Sequence, residues 1–234
     1  METMKNITAI ITAAGTGTRL PGAAKKQFRE LGGIPILIRS VSPFFNLAEI
    51  TAIIITSPED EVLHTESLIK QYFEHSDKPW IVIPGGTQRQ DSVFNALQHC
   101  PKDTDMVAIH DGVRPFISEE MITDLLETCD TEQAVIPAIK MKNTIKKIEG
   151  DYAVGTLNRS QLIQVLTPQV FSYPLIMKAY LQAYEDAFFG TDDACLVERL
   201  GTKVRYLFSS EANIKITDEL DLFLASQLLE KNMI

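Results

Sequence analysis

The chain has 234 residues, 45% of them hydrophobic, and a formal net charge of −9. That is enough apolar material for a real core, and it suits one domain or one domain with an appendage; the acidic balance argues against general nucleic-acid binding, because phosphate backbones demand an excess of Lys and Arg. Three scattered cysteines without a C-x-x-C argue against a disulfide framework or a zinc site, and with no apolar run near the ~20 residues of a membrane span and no leader pattern at the start, the expected address is the cytoplasm.

In chain order, short β-rich runs alternate with longer helical patterns. Strands are predicted at 7–12, 50–56, 80–84, 106–110, 134–138 and 203–208. They are near-continuous apolar runs, the pattern of strands covered on both faces. Helices are predicted at 35–45 and 58–73, each opening with Pro, and at 90–100 after a Gly-Gly turn. A helix at 118–129 has Ser118 as N-cap and Met121, Ile122, Leu125 and Leu126 at helical spacing. The alternation breaks between Lys140 and Arg159, where two β-like pieces flank Glu149-Gly150-Asp151 as in a hairpin. Such a hairpin either projects as an arm that embraces a second subunit or lies exposed on a monomer. Helices follow at 172–188 and 192–200, and a last one at 218–231 is capped by Asp218, with Leu220, Leu222, Phe223 and Leu224 expected inward. The expected fold is α/β and Rossmann-like, a mostly parallel sheet covered by helices, in a single domain over 1–234 with residues 139–159 as a protruding β-hairpin arm.

Ligands of open α/β sheets bind beyond the carboxyl ends of the strands. The loop after the first strand, AAGTGTRLPGAAKKQF, is therefore a privileged place. Gly15 and Gly17 let backbone N–H groups approach an anion or a flat base, and Arg19 and Lys26 supply charge. The stretch is not a P-loop, and it lacks the acidic ribose ligand of a dinucleotide loop. Four further segments carry polar groups, the first two of them directly after strands. PGGTQRQDSV is a second glycine turn, in which Ser92 and the backbone amides could read a base edge or simply start a helix with Arg89 solvated. HDGVRPF puts Asp111 and Arg114 at the edge of the first loop; they could bind a ribose hydroxyl or metal-bound water and a phosphate, or pair with each other. TDDACLVE reads first as a helix cap. NIKIT places Lys215 between two isoleucines, as a snorkelling surface residue or as a point charge aimed into a site. His110 ends a buried strand and reads as a residue that orients the loop rather than as a catalyst.

Taken in order, A-A-G-x-G-x-R, K-Q-F, G-G-x-x-R-x-D-S-V, H-D-x-x-R-P-F, T-P-Q-x-F, T-D-D-A and N-I-K-I-T resemble the 2-C-methyl-D-erythritol 4-phosphate cytidylyltransferases over nearly the whole chain. The resemblance implies a CTP-dependent nucleotidyltransferase: CTP and a sugar-alcohol phosphate react with Mg²⁺, bound mainly through the CTP phosphates, to give the CDP-alcohol and pyrophosphate. It implies catalytic roles for Arg19, Lys26 and Lys215. It implies CTP contacts at Ala13, Ala14, Gly15, Gly17, Gly86, Thr87, Ser92 and Asp111, and acceptor contacts at Arg114, Thr144 and Arg159. It further implies a homodimer joined through the arm, which grips the acceptor phosphate from the partner subunit. No protein metal ligand is assigned, and neither nucleic acid nor a membrane is an expected partner. The chain departs from the family's usual pattern at Lys25, where Pro is common and a less rigid loop is expected here, and at Thr87, Asn143, Leu157 and Asn158.

These residue types suit the reaction. A phosphate monoester is mostly dianionic at neutral pH and needs no general base to attack. The obstacle is electrostatic, so positioning and fixed positive charge carry the catalysis. The nearest rival is a ribitol-5-phosphate cytidylyltransferase, which differs in the acceptor-binding arm. A nicotinamide-dependent oxidoreductase would need an acidic ribose ligand and a catalytic Tyr–Lys or His set. A non-catalytic nucleotide-binding module would have no use for Lys26 and Lys215 in one pocket.

Overall fold

A computed structural model of the chain describes residues 5–15 and 25–233. The first strand, β1 (Ile7–Thr12), is followed by a 3-10 turn at Lys26–Phe28 and a minimal hairpin of β2 (Glu30–Leu31) and β3 (Ile34–Pro35). Then come α1 (Ile36–Asn46), β4 (Ile50–Ser57), α2 (Val62–Tyr72), β5 (Trp80–Pro84), α3 (Arg89–Gln98), β6 (Met106–Asp111), α4 (Glu119–Glu132) and β7 (Ala134–Lys140). The rest comprises β8 (Lys146–Glu149), β9 (Tyr152–Thr156), β10 (Ile163–Val165), β11 (Gln169–Ser172), α5 (Tyr173–Glu185), α6 (Ala194–Arg199), β12 (Arg205–Phe208) and α7 (Glu219–Glu230).

Strands β5, β4, β1 and β6 lie side by side and parallel. β11 runs antiparallel between β6 and β7. β7 pairs with β12 on one edge and with β10 and β11 on the other, since Val135 matches both Val170 and Arg205. The sheet is thus mostly parallel but mixed. The alternation of strand side chains divides the core between its faces. Ala9 and Ile11 of β1, Ile53 and Ile55 of β4, and Ala108 of β6 face α1, α2 and α4. Ile10, Ile54, Val107 and Ile109 point the other way, toward α3, α5 and α6. β1, β4 and β6 are buried on both faces as their apolar runs predicted, whereas β12, predicted at 203–208 with the same cover, lies at the sheet edge with Arg205, Tyr206 and Phe208 exposed.

Both predicted caps are present. Ser118 Oγ accepts from Met121 N at 3.2 Å, and Asp218 Oδ1 accepts from Asp221 N at 3.0 Å. Three expectations need correction. Residues 163–172 contain β10 and β11, which the apolar pattern did not reveal because Pro168 interrupts it; a cis Thr167–Pro168 peptide separates the two strands. The helix expected from 58 opens instead with a 3-10 turn, Glu59–Glu61. In α7 the inward stripe is Leu222, Ala225, Leu228 and Leu229 against Leu31 and Ile36, while Leu220, Phe223 and Leu224 are exposed. A helix apolar nearly all round gives no unique face, and the i, i+3, i+6 and i+7 set was the one that packed.

β8 and β9 form their own two-stranded sheet, with Lys146 opposite Thr156 and a turn at Gly150, where φ is +54°. All their residues are exposed, Ile148 and Tyr152 to 70% and 77%. Among the described residues, no helix is long and apolar enough to cross a membrane.

Candidate active site

The chain leaves β1 toward β4 and β5 on one side, then returns to place β6 on the other. β1 and β6 therefore flank the switch point of the sheet, where their diverging loops leave a crevice. Thr12 and Asp111 are paired across it. The ladder continues past the strand ends, with Ala13 N on Thr56 O at 2.9 Å, Gly112 N on Thr12 O at 2.9 Å and Gly85 N on Ser57 O at 2.8 Å. The loops thus start from fixed points.

A cavity of about 300 Å³ fills the crevice. Its floor is Ala13, Ala14 and Gly15, one wall is the Gly86–Ser92 turn, and Lys26, Asp111 and Lys215 line the rest. The turn packs tightly on the first loop. A Cβ on Gly85 would lie 2.2 Å from Ala14 Cβ and 2.8 Å from Ser92 Oγ, so only glycine fits. Ser92 Oγ accepts from Gly86 N at 2.9 Å and donates to Gln88 O at 3.1 Å, so its first task is to shape the turn. A second cavity of about 150 Å³ adjoins the first, shares Arg89, Asp111 and Lys215 with it, and adds Arg114, Thr167 and Thr191.

Asp111 stands between the two cavities. Its Oδ2 is 3.0 Å from Arg114 Nε and 3.1 Å from Lys215 Nζ, and its Oδ1 is 3.6 Å from Arg89 Nε. Burial opposes its ionisation, but Arg89, Lys215 and Arg114 override that and hold the carboxyl far below the usual carboxylate range. Arg114 also donates to Asn213 O at 2.9 Å, so much of its guanidinium holds the loop together while it lines the smaller cavity. The NIKIT segment explains Lys215. Asn213 Nδ2 donates to Thr167 O at 2.9 Å and Ile216 N to Val113 O at 2.9 Å; Ile216 is buried, and the residue before it turns to the pocket. Of the two readings of this lysine, the aimed charge is the one realised.

His110 is fully buried. Its Nε2 donates to Arg114 O at 3.1 Å, and its Nδ1 accepts from Thr167 Oγ1 at 3.0 Å, which in turn accepts from Asp111 N at 3.1 Å. Burial holds its imidazole down to about 4, so it is neutral near pH 7 and orients the loop, as its sequence position predicted. The lowered value has a stability consequence. Between the unfolded value of 6.5 and the folded value of about 4 the unfolded chain binds the extra proton, so stability falls as pH drops through that window. The loss is on the order of 3 kcal/mol, at about 1.4 kcal/mol per pH unit. Urea unfolding from pH 7 to 4 is expected to show this slope in the wild type and a slope shallower by about one proton in His110→Gln; equal slopes would contradict it.

Sequence reasoning missed one cluster. Asp193 is fully buried and accepts from Arg89 Nη1 at 3.0 Å, Arg89 Nη2 at 2.7 Å and Tyr180 Oη at 2.5 Å. Arg89 is therefore no solvated helix-start residue, and its charge is held between Asp193 and Asp111. The TDDA segment is only in part a cap: Asp192 Oδ1 accepts from Cys195 N at 3.0 Å, and its Oδ2 accepts from Gln169 Nε2 at 2.8 Å. A basic residue one turn from Ser92 and a doubled Asp were the available signals, and nothing local linked them.

Lys26, Lys215, Ala13, Ala14, Gly15, Gly86, Thr87, Ser92 and Asp111 come together as expected. Gly17 and Arg19 lie outside the described residues. Thr144 and Arg159 do not join them: both are exposed at the arm, where Arg159 Nη1 donates to Lys142 O at 2.6 Å. Among the described residues, no group of three or more His, Cys, Asp or Glu could hold a metal ion.

The family model described as 2-C-methyl-D-erythritol 4-phosphate cytidylyltransferase matches residues 7–231. A protein of that name from Bacillus mycoides is 41% identical over 222 residues, 95% of this chain and 97% of the relative. One from Caldanaerobacter subterraneus is 37% identical over 228 residues, 97% of this chain and 100% of the relative. The crystal structure of 4-diphosphocytidyl-2C-methyl-D-erythritol synthase from Anaerococcus prevotii superposes with a TM-score of 0.86 at 34% identity, covering 97% of this chain and 96% of that one.

Proposed function

The chain belongs to the 2-C-methyl-D-erythritol 4-phosphate cytidylyltransferase family, and from that premise we propose how its own residues transfer a cytidylyl group from CTP to the phosphate of 2-C-methyl-D-erythritol 4-phosphate. The observation that carries the reading is the convergence of Lys26 and Lys215 on one crevice at the switch point, beside a glycine turn with room for a base. CTP lies in the larger cavity with its base at the Gly86–Ser92 turn and its ribose toward Asp111. The acceptor enters through the smaller cavity, past Arg114. An acceptor phosphate oxygen forms the new bond to the α-phosphorus, the bridging bond to the β-phosphate breaks, and pyrophosphate leaves with that electron pair. Lys26 and Lys215, with Arg19, neutralise charge building on the phosphoryl oxygens. The acceptor dianion attacks unaided, which is consistent with His110, at the end of β6, being buried and neutral.

The donor set suits a Mg²⁺ held mainly by phosphates. Asp111 is the single carboxylate lining the larger cavity among the described residues, and such a metal usually takes one or two carboxylates plus substrate oxygens. When bound, Mg²⁺ supplies charge neutralisation on the triphosphate.

The working unit is a single nucleotidyltransferase domain over 1–234 that dimerises through the arm at 139–159. A lone two-stranded hairpin is marginal in water, and this one exposes Ile148, Tyr152 and Val154. A second copy covering those side chains would also carry Thr144 and Arg159 to its partner's acceptor cavity. The cytoplasm suits the three free cysteines, of which burial raises Cys100 and Cys129 to about 12.

Pyrophosphate release with CTP and each of two acceptors tests the reading. Turnover is expected with 2-C-methyl-D-erythritol 4-phosphate; turnover only with ribitol 5-phosphate would favour the rival acceptor, and none with either would refute the reading. Arg159→Ala is expected to raise the acceptor KM about ten- to a hundredfold, the scale of one charge-assisted hydrogen bond, with the CTP KM unchanged. Mixing that variant with Lys26→Ala chains should restore one working site per heterodimer. Failure to complement would place the arm's action within its own subunit.

A further inference from the structure

We propose that Lys25 is a positioning residue for Lys26, an ion-pair tether that fixes the backbone from which the neighbouring lysine reaches the nucleotide cavity. This deepens the function proposed above and rests on it for the role of Lys26. Lys26 sits in a 3-10 turn of three residues, Lys26–Phe28, closed by Phe28 N on Lys25 O at 2.9 Å and Arg29 N on Lys26 O at 3.2 Å. So short a turn has little rigidity of its own. Its neighbours supply it. On the inner side, Gln27 is buried and its Nε2 donates to Ala13 O at 2.9 Å, at the end of β1. The Phe28 ring meets His64 of α2 edge-on, with centroids 4.8 Å apart. Arg29 Nη1 reaches Glu219 of α7 at 2.7 Å.

On the outer side, Lys25 Nζ lies 2.7 Å from both oxygens of Asp60 and 3.3 Å from Glu61 Oε1. Those carboxylates stand in the 3-10 turn that leads from β4 into α2, so the tether ends on the β4–α2 connection. Donating to Asp60 holds the ammonium above the ordinary lysine range, and accepting from Lys25 holds Asp60 below the ordinary aspartate range, so both stay charged near neutrality. A pair this exposed adds little to global stability. Its effect falls on local placement, where a small displacement of a charge at a reacting phosphate is costly. The backbone at Lys25 has φ −59°, the value that a proline ring imposes, and ψ 143°, which proline readily adopts. Lys25→Pro can therefore hold the same backbone without any charge.

The experiment compares the full-length wild type with Lys25→Met, Lys25→Pro and Asp60→Asn/Glu61→Gln. It reads kcat/KM for CTP at about 0.02 M and 0.5 M salt, which brackets weak and strong screening, together with the thermal midpoint and hydrogen exchange of the amides of residues 26–29. Lys25→Met and the double variant should lose about three- to fivefold in kcat/KM at low salt, the scale of one exposed ion pair, with midpoints near the wild type and faster exchange. The wild type should drift toward them at high salt, and Lys25→Pro should keep wild-type kcat/KM and slow exchange at both. Wild-type behaviour of Lys25→Met, or a Lys25→Pro as impaired as Lys25→Met, overturns the proposal. A wild type with no turnover overturns the proposed function alone, because the exchange comparison still decides whether Lys25 holds the turn.

Discussion

Replacing Lys26 with alanine is expected to lower kcat by about two to three powers of ten, the cost of removing one preorganised charge from a developing oxyanion. Lys26 lines the cavity from a turn fastened to Ala13 O through Gln27. It is only partly buried, so the variant should fold with an unfolding midpoint close to that of the wild type. The partition between constants carries the argument. A charge that acts on the transition state lowers kcat and kcat/KM together, whereas one that only holds CTP raises KM and leaves kcat alone. Lys215→Ala should behave similarly, with a second effect. Its Nζ is 3.1 Å from Asp111 Oδ2, so its loss leaves that carboxylate to Arg114 and Arg89. Single-turnover kinetics of both variants with saturating acceptor would check this. A Lys26→Ala enzyme with near-normal kcat contradicts the assignment.

The second large effect is structural. Asp193→Ala is expected to reduce the unfolding free energy by about 3 kcal/mol, the lower end for breaking a buried ion pair from one side. Asp193 is fully buried and accepts three hydrogen bonds, two from Arg89 and one from Tyr180. Without it the Tyr180 hydroxyl is left buried and unpaired, and Arg89 keeps only its 3.6 Å approach to Asp111. The Arg89 side chain is 30% exposed, so water recovers part of the loss, which sets the expectation at the low end. The double variant Arg89→Met/Asp193→Leu should lose less than Asp193→Ala alone, because removing both charges leaves no uncompensated one. Urea unfolding at pH 7 measures both. A change below about 0.5 kcal/mol in Asp193→Ala, the scale of a neutral surface substitution, would show that the cluster contributes nothing.

What the sequence made legible was what is encoded locally. The apolar runs of β1, β4 and β6 announced strands covered on both faces, and Ser118 and Asp218 announced their helices through cap chemistry. Glycines beside strand ends marked the edge at which the crevice opens. Hidden features depended on distance. Arg89 and Asp193 are 104 positions apart, and only the fold makes them partners. β10 and β11 were hidden because Pro168 interrupts what would otherwise read as one strand. α7 was misjudged because its leucines leave the buried face undetermined until β2 and β3 select it. Lys25 was legible only as a departure from Pro; its ion pairs with Asp60 and Glu61 join residues 35 and 36 positions apart that only the fold makes neighbours.

The central claim is that cations from segments far apart in the chain meet around one triphosphate. A crystal structure of the protein with CTP tests it most directly. The account predicts the base against the Gly86–Ser92 turn and the α-phosphate within ion-pair reach of Lys26 Nζ and Lys215 Nζ. A nucleotide bound away from the β1–β6 crevice, or with its phosphates pointing away from both lysines, would contradict it.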